Sequence, residues 1–176
     1  MGYLELVLGP MFSGKSSRLI QIIRKYKILN YSILVIKPEI DIRYSESDSP
    51  QIITHDKVTT DCISCKYLSD IKDIDPYQVI VIEEGQFFSD IFENVVEWCK
   101  TKKVYVAGLN GDANQKLFGK LHKLLPHADE ITFLKALCKI CCNGTPALFT
   151  KKKINNDQIV EVGGEDMYQA VCREHL

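Results

Sequence analysis

The sequence predicts an α/β fold, a parallel sheet with helices on both faces, followed by a small cysteine-bearing module. Three observations carry this. The apolar runs Tyr3–Leu8, Ser32–Ile36, Val79–Ile82 and Val104–Ala107 lack the polar alternation of a half-solvated strand, as strands covered on both faces do. Segments with helical apolar spacing separate several of them. From about residue 136 the character changes to cysteines, glycines and β-branched residues.

Tyr3–Leu8 reads as a first strand. It contains Glu5 and leads straight into glycine, which is not the form of a secretion signal. After the loop Gly9–Gly14 a helix begins near Lys15, with Leu19, Ile22, Ile23, Tyr26 and Leu29 on one face. Ser32–Ile36 is a buried strand stopped by Pro38, and the polar stretch 39–51 is a loop. Tyr67–Ile74 reads as weakly helical. Past Val79–Ile82, Ser89 or Asp90 caps a helix that buries Ile91, Val95 and Trp98. Val104–Ala107 and Ile131–Leu134 are further strands, and His122 and His127 lie on the surface about a short helix. The expected division is an α/β domain over 1–135 and a small cysteine-bearing module over 136–176.

At 176 residues the chain has room for one domain with a small appendage and a real core. Its 45% apolar and 26% charged content exclude disorder as the main state. No apolar run approaches a membrane span. With 22 Lys+Arg against 23 Asp+Glu, the net charge of −1 supplies no basic face for bulk nucleic-acid binding.

Gly9-Pro10-Met11-Phe12-Ser13-Gly14-Lys15-Ser16 satisfies G-x-x-x-x-G-K-[ST] in full, between a strand and a helix. The alternative is a chance glycine-rich turn, and the context argues against it. Loop N–H groups and the helix dipole converge on phosphates. Lys15 is expected to reach the β- and γ-phosphates and Ser16 to ligate Mg²⁺. This is a nucleoside triphosphate site.

Val79–Ile82 ends in Glu83-Glu84, and open α/β sheets bind ligands at such carboxyl ends. One carboxylate there can hold the magnesium water shell, and a neighbour can accept the proton of an attacking hydroxyl. A merely solvated acidic strand end is the alternative. The guanine-recognition pattern N-K-x-D does not occur.

The seven cysteines include Cys138-x-x-Cys141 and Cys172-x-x-His175, two pairs separated by thirty residues. Two such turns complete a tetrahedron with no open position, the form of a structural zinc site. Reduced thiols fit the expected cytoplasmic location. Cys62-x-x-Cys65 could ligate metal with His55 or act as a redox pair, but it has no partner pair and reads as ordinary thiols. Cys142 could exchange with Cys141 as a ligand, Cys99 reads as packing, and Lys151–Lys153 reads as a solvated turn. Asp41 and Arg43 lie in a polar loop where spacing alone assigns no role.

Together these residues resemble the type II thymidine kinases, of cellular and poxvirus type. GPMFSGKS at Gly9–Ser16, Thr54-His55-Asp56, Glu84-Gly85-Gln86-Phe87-Phe88, and Gly163-Gly164 with Tyr168 carry the resemblance nearly end to end. It implies a RecA-like P-loop domain over 1–135 and a zinc-containing lasso domain over 136–176. It implies transfer of the ATP γ-phosphate to the 5′-hydroxyl of thymidine, with Mg²⁺ and structural zinc as cofactors. It also implies a homotetramer and dTTP as feedback inhibitor.

The resemblance makes Glu84 the base and aligns Lys15 and Ser16 with ATP and Mg²⁺, with Glu83 beside the metal. Asp41 and Arg43 match a pair contacting the sugar and the phosphoryl path. Met11, Phe87, Leu109, Thr150 and Tyr168 match the nucleoside pocket. Ile159, Val160, Glu161, Val162 and Gly163 match a lasso stretch whose backbone reads the base. Three positions depart from the family pattern. Glu83 stands where Asp is usual, Ala113 where an aromatic packs on the base, and His175 where animal enzymes carry a fourth Cys. Ala113 leaves deoxycytidine and deoxyuridine open as substrates. Imidazole is a good zinc ligand, so the metal site survives the last change. The competing readings are a nucleic-acid-stimulated zinc-ribbon ATPase, which the net charge disfavours, and a GTP switch, which the missing guanine pattern disfavours.

Overall fold

The computed structural model describes residues 1–40, 51–53, 59–153 and 163–176. The chain runs through β1 (Tyr3–Gly9), α1 (Lys15–Ile28), β2 (Ile33–Pro38), β3 (Gln51–Ile53), β4 (Thr59–Asp61) and β5 (Ile63–Cys65). Then come β6 (Val79–Ile82), α2 (Ile91–Trp98), β7 (Lys103–Leu109) and β8 (Glu130–Phe133). The C-terminal part holds β9 (Ala136–Leu137), β10 (Pro146–Ala147), β11 (Phe149–Lys152) and β12 (Tyr168–Val171).

Six strands form one sheet in the order β5-β2-β6-β7-β1-β8, and every adjacent pair is parallel. The unalternated runs are explained by burial on two sides. Leu4, Leu6, Ile80, Ile82, Val104 and Val106 pack with Phe88, Ile91, Val95 and Trp98 on one face. Their neighbours Val7, Val79, Val81, Tyr105 and Ala107 pack with Leu19, Ile20, Ile22, Ile23 and Tyr26 of α1 on the other. Successive side chains thus feed opposite cores, the period-two rule of a strand. Glu5 is an exception. Only 3% exposed, it accepts from Thr132 Oγ1 at 2.9 Å and pairs with Arg18 at 3.4 Å, which satisfies the buried carboxylate.

Several local expectations need correction. Tyr67–Ile74 is not helical beyond the single turn Leu68–Asp70. Asp90 does sit at the N-cap of α2, but its side chain makes no cap bond. It accepts instead from the backbone N–H groups of Leu68 and Ser69, tying that turn to the helix. Lys151 and Lys152 belong to β11, not to a turn, and Lys151 donates to the His175 carbonyl at 2.9 Å. Strands β3, β4 and β5 had no sequence expectation. His122 and His127 fall on the short turn Leu121–His127, with His127 exposed and His122 half-buried.

Beyond β8, β9 pairs antiparallel with β10, and β11 with β12. Ala136, Cys138, Ala147, Ala170, Val171 and Cys172 form a third, smaller core. Among the described residues, no helix is long and apolar enough to cross a membrane.

Candidate functional site

Parallel pairing brings Gly9 level with Leu109 and Ile82 level with Val106. The phosphate loop, Glu83-Glu84 and the end of β7 therefore gather at one edge of the sheet, its carboxyl edge. Gly9 has no room for a side chain, because a Cβ there would lie 2.6 Å from the Leu134 carbonyl oxygen. Gly14 caps α1 with φ +85, a backbone state open to glycine. Within the loop, Ser13 Oγ and Lys15 Nζ both donate to the Pro10 carbonyl, at 2.8 and 2.9 Å.

Ser16, in the first turn of α1, donates its hydroxyl to Glu83 Oε1. This joins the P-loop hydroxyl to the carboxylate that ends β6, and Glu83 is only 6% exposed. A hydroxyl and a buried carboxylate in direct contact offer two hard oxygen donors, which suits Mg²⁺.

Glu84 has φ +50 and ψ +45, a left-handed state that costs a non-glycine residue of order 1–3 kcal/mol and recurs at functional sites. The conformation turns the chain sharply out of the sheet. The Gln86 side-chain NH₂ donates to Glu84 Oε2, and Oε1 of the same side-chain amide accepts the Leu109 N–H at 3.1 Å. Gly108 and Gly119 make room for this strut. A Cβ on Gly108 would lie 2.7 Å from Gln86 Oε1, and one on Gly119 would lie 2.2 Å from the Gln86 carbonyl. Phe88 is fully buried beneath it, whereas Phe87 is half-buried, edge-on to Phe118 with ring centroids 5.3 Å apart.

Hydrogen bonds link this edge to the C-terminal part. The Met11 N–H donates to Thr150 Oγ1 at 3.0 Å, and the Asn110 side-chain amide donates to the Leu148 carbonyl at 3.2 Å. In β11–β12, Thr150 pairs with Ala170 and Lys152 with Tyr168, so Thr150 and Tyr168 share one face. Both are buried. Met11, Leu109, Thr150 and Tyr168 are thus gathered beside the loop or on the strands bonded to it. Ala113 follows the buried Asp112, whose carboxylate accepts from the N–H groups of Asn114 and Lys116. Asp41, Arg43, Thr54, His55, Asp56, Ile159, Val160, Glu161 and Val162 lie outside the described residues, and Gly163 opens the last described stretch.

Cys138, Cys141, Cys172 and His175 converge, with ligand atoms within 4.8 Å of one another. Cys141 Sγ and Cys172 Sγ are 3.7 Å apart. His175 Nδ1 is 3.2, 3.4 and 3.8 Å from the sulfurs of Cys172, Cys141 and Cys138. A tetrahedron with metal–sulfur bonds of about 2.3 Å has edges of about 3.8 Å, so the four ligands fit zinc with no open position. Burial pushes the Cys138 thiol up, but N–H groups of Cys141, Cys172 and Ile140, with the Cys141 thiol, bring it down to about 6. That favours the thiolate a metal requires. Cys142 is exposed and turns its sulfur to the Lys139 carbonyl, outside the set. Cys62 and Cys65 belong to no metal-competent cluster among the described residues.

Sequence reasoning gave no role to Gln86 or Phe118. Gln86 lay inside a noticed motif, but its polarity between Gly85 and two aromatics was the only signal. Phe118 carried none.

A family model described as "Thymidine kinase" matches residues 2–176. The thymidine kinase of Choristoneura biennis entomopoxvirus is 40% identical over 179 residues, spanning 97% of this chain and 94% of that protein. That of Fowlpox virus is 38% identical, with coverages of 98% and 96%. Thymidine kinase 1 of Dictyostelium discoideum is 37% identical over 98% of this chain and 76% of its own length.

Proposed function

The chain belongs to the thymidine kinase family, and from that premise we propose that its carboxyl-edge site transfers the γ-phosphoryl group of ATP to the 5′-hydroxyl of thymidine. The observation that carries the reading is the meeting of the P-loop hydroxyl with the carboxylate at the end of β6, immediately before Glu84.

In this reading Gly9, Pro10, Met11, Phe12, Ser13 and Gly14 wrap the triphosphate with backbone N–H groups, and Lys15 pairs with its β- and γ-phosphates. Ser16 and Glu83 would hold Mg²⁺, which when bound neutralises charge on the phosphate oxygens. The 5′-oxygen bonds to the γ-phosphorus as the γ-phosphorus–bridging-oxygen bond breaks. ADP leaves with that electron pair, and the hydroxyl proton passes to Glu84. Asp41 and Arg43 serve the sugar and the phosphoryl path. Met11, Phe87, Leu109, Ala113, Thr150, Tyr168 and the 159–163 backbone bound the nucleoside. The contact of Ser16 with Glu83 and the Gln86 strut on Glu84 support these roles.

Cys138, Cys141, Cys172 and His175 hold structural zinc in residues 136–176, a lid on the kinase domain of 1–135. The family also supports a cytoplasmic homotetramer that supplies dTMP for DNA synthesis and is inhibited by dTTP. The test is transfer of labelled γ-phosphate from ATP to each of the four deoxynucleosides. Thymidine should be the best acceptor, and the ratio to deoxycytidine and deoxyuridine reads the effect of Ala113. No transfer to any of the four would sink the reading.

A further inference from the structure

The phosphate loop contains two residues with positive φ, Gly14 at +85 and Phe12 at +64. Glycine adopts that state freely, and a Cβ on Gly14 would meet nothing within 4 Å. Phe12 does not adopt it freely, although backbone states of this kind turn successive N–H groups of a phosphate loop toward an anion. Its ring packs on the small core of Ala136, Cys138, Ala147, Ala170, Val171 and Cys172. Two of those six, Cys138 and Cys172, are metal-ligand candidates. The adjacent Met11 N–H is held from the same side by Thr150. The loop is thus gripped at two successive residues by the segment that carries the metal ligands.

We propose that Phe12 is a positioning residue. Its ring, seated on the core that Cys138 and Cys172 complete, holds the phosphate loop in its nucleotide-binding shape, so that metal loading sets the affinity for nucleotide phosphates. With zinc bound, the two ligand turns are fixed and the seat is rigid. Without it, the seat relaxes and the ring loses its hold on an unfavourable backbone state. The inference deepens the kinase reading and rests on it only in taking the ligand to be a nucleotide.

The test is calorimetric titration of Mg²⁺ and ADP into the zinc-loaded full chain and three variants, Phe12→Leu, Phe12→Ala and Phe12→Gly, with metal content and thermal melting measured on each. Phe12→Ala should keep its zinc and a cooperative melt yet bind ADP about tenfold more weakly, while Phe12→Leu stays within about threefold of wild type. Phe12→Gly removes the ring but also relieves the backbone, so its loss should be smaller than that of Phe12→Ala. A loss in Phe12→Gly as large as in Phe12→Ala would mean that the ring does not act through the backbone state, and near-wild-type affinity in Phe12→Ala would mean that the ring is idle. Either result overturns the proposal. Zinc stripping should weaken ADP binding to wild type and add little in Phe12→Ala, the non-additivity of two steps on one path. Equal losses in both proteins would break the link to the metal. If stripping unfolds the chain, the three zinc-loaded variants decide alone. A wild type that binds ADP but transfers no phosphate to thymidine contradicts the kinase reading and leaves this one standing.

Discussion

Gln86 donates its side-chain NH₂ to the carboxylate of Glu84 while the Oε1 of the same amide accepts the backbone N–H of Leu109. The proposed base is thereby braced against the neighbouring strand β7. Gln86→Leu should keep the fold and nucleotide binding but lower kcat by about tenfold to a hundredfold, since small misplacement of a reacting group is costly. Glu84→Gln should nearly abolish turnover while thymidine still binds. Equal kcat in wild type and both variants would remove the base role.

The Ser16–Glu83 contact makes a metal prediction. Glu83→Asp draws the carboxylate back by one methylene from the Ser16 hydroxyl it now meets. Half-saturation by Mg²⁺ should rise about tenfold, the scale of lost support around a metal, with a smaller change in kcat. A Mg²⁺ titration of initial rates reads this directly.

Zinc should follow the C-terminal ligands alone. Metal analysis of Cys138→Ser/Cys172→Ser should show it lost, and that variant should melt at a lower temperature, because metal binding contributes to folding. Cys62→Ser/Cys65→Ser should retain it, and zinc absent from the second pair would reverse the ligand assignment.

The thiols should separate by pH. Burial first, then Asp70, Asp90 and Glu39, pushes Cys65 up to about 11. An elevated thiol pKa leaves little reactive thiolate at pH 8. Iodoacetamide at that pH should label the exposed Cys142 well before Cys65, with Cys65 catching up only as pH rises toward 11. Peptide mass mapping over time checks it, and equal rates at pH 8 would contradict the burial.

Phe87 and Phe88 should behave oppositely. Phe88→Ala empties a fully buried position and should cost about 3–5 kcal/mol in denaturant unfolding. Phe87→Ala loses an edge-on contact with Phe118 and should cost far less stability, while raising KM for thymidine.

The sheet was legible because its strands are covered on both faces. Val79–Ile82 needs no alternation when Ile80 and Ile82 enter one core and Val79 and Val81 the other. The phosphate loop and metal ligands were legible because their chemistry fixes residue types at fixed spacing. Strands β3 and β4 are three residues each, too short for a period to register. The side chain of Asp90 could not be placed from sequence, since its partners Leu68 and Ser69 lie a whole strand earlier. Gln86 was hidden for the same reason. A strut is defined by what stands at its two ends, and Leu109 is remote in the chain.

The position of β1 has a consequence for synthesis. Tyr3 pairs with Lys103, and Glu5 with both Tyr105 and Glu130. Strand β1 is translated well before either neighbour, so it is sealed late, and its strand pairings all close long loops. A growing chain exposes the apolar edge of β1 until β7 and β8 leave the ribosome. Nascent chains halted before residue 103 should accordingly engage chaperones and hold no nucleotide, and competence should arrive late and in one step.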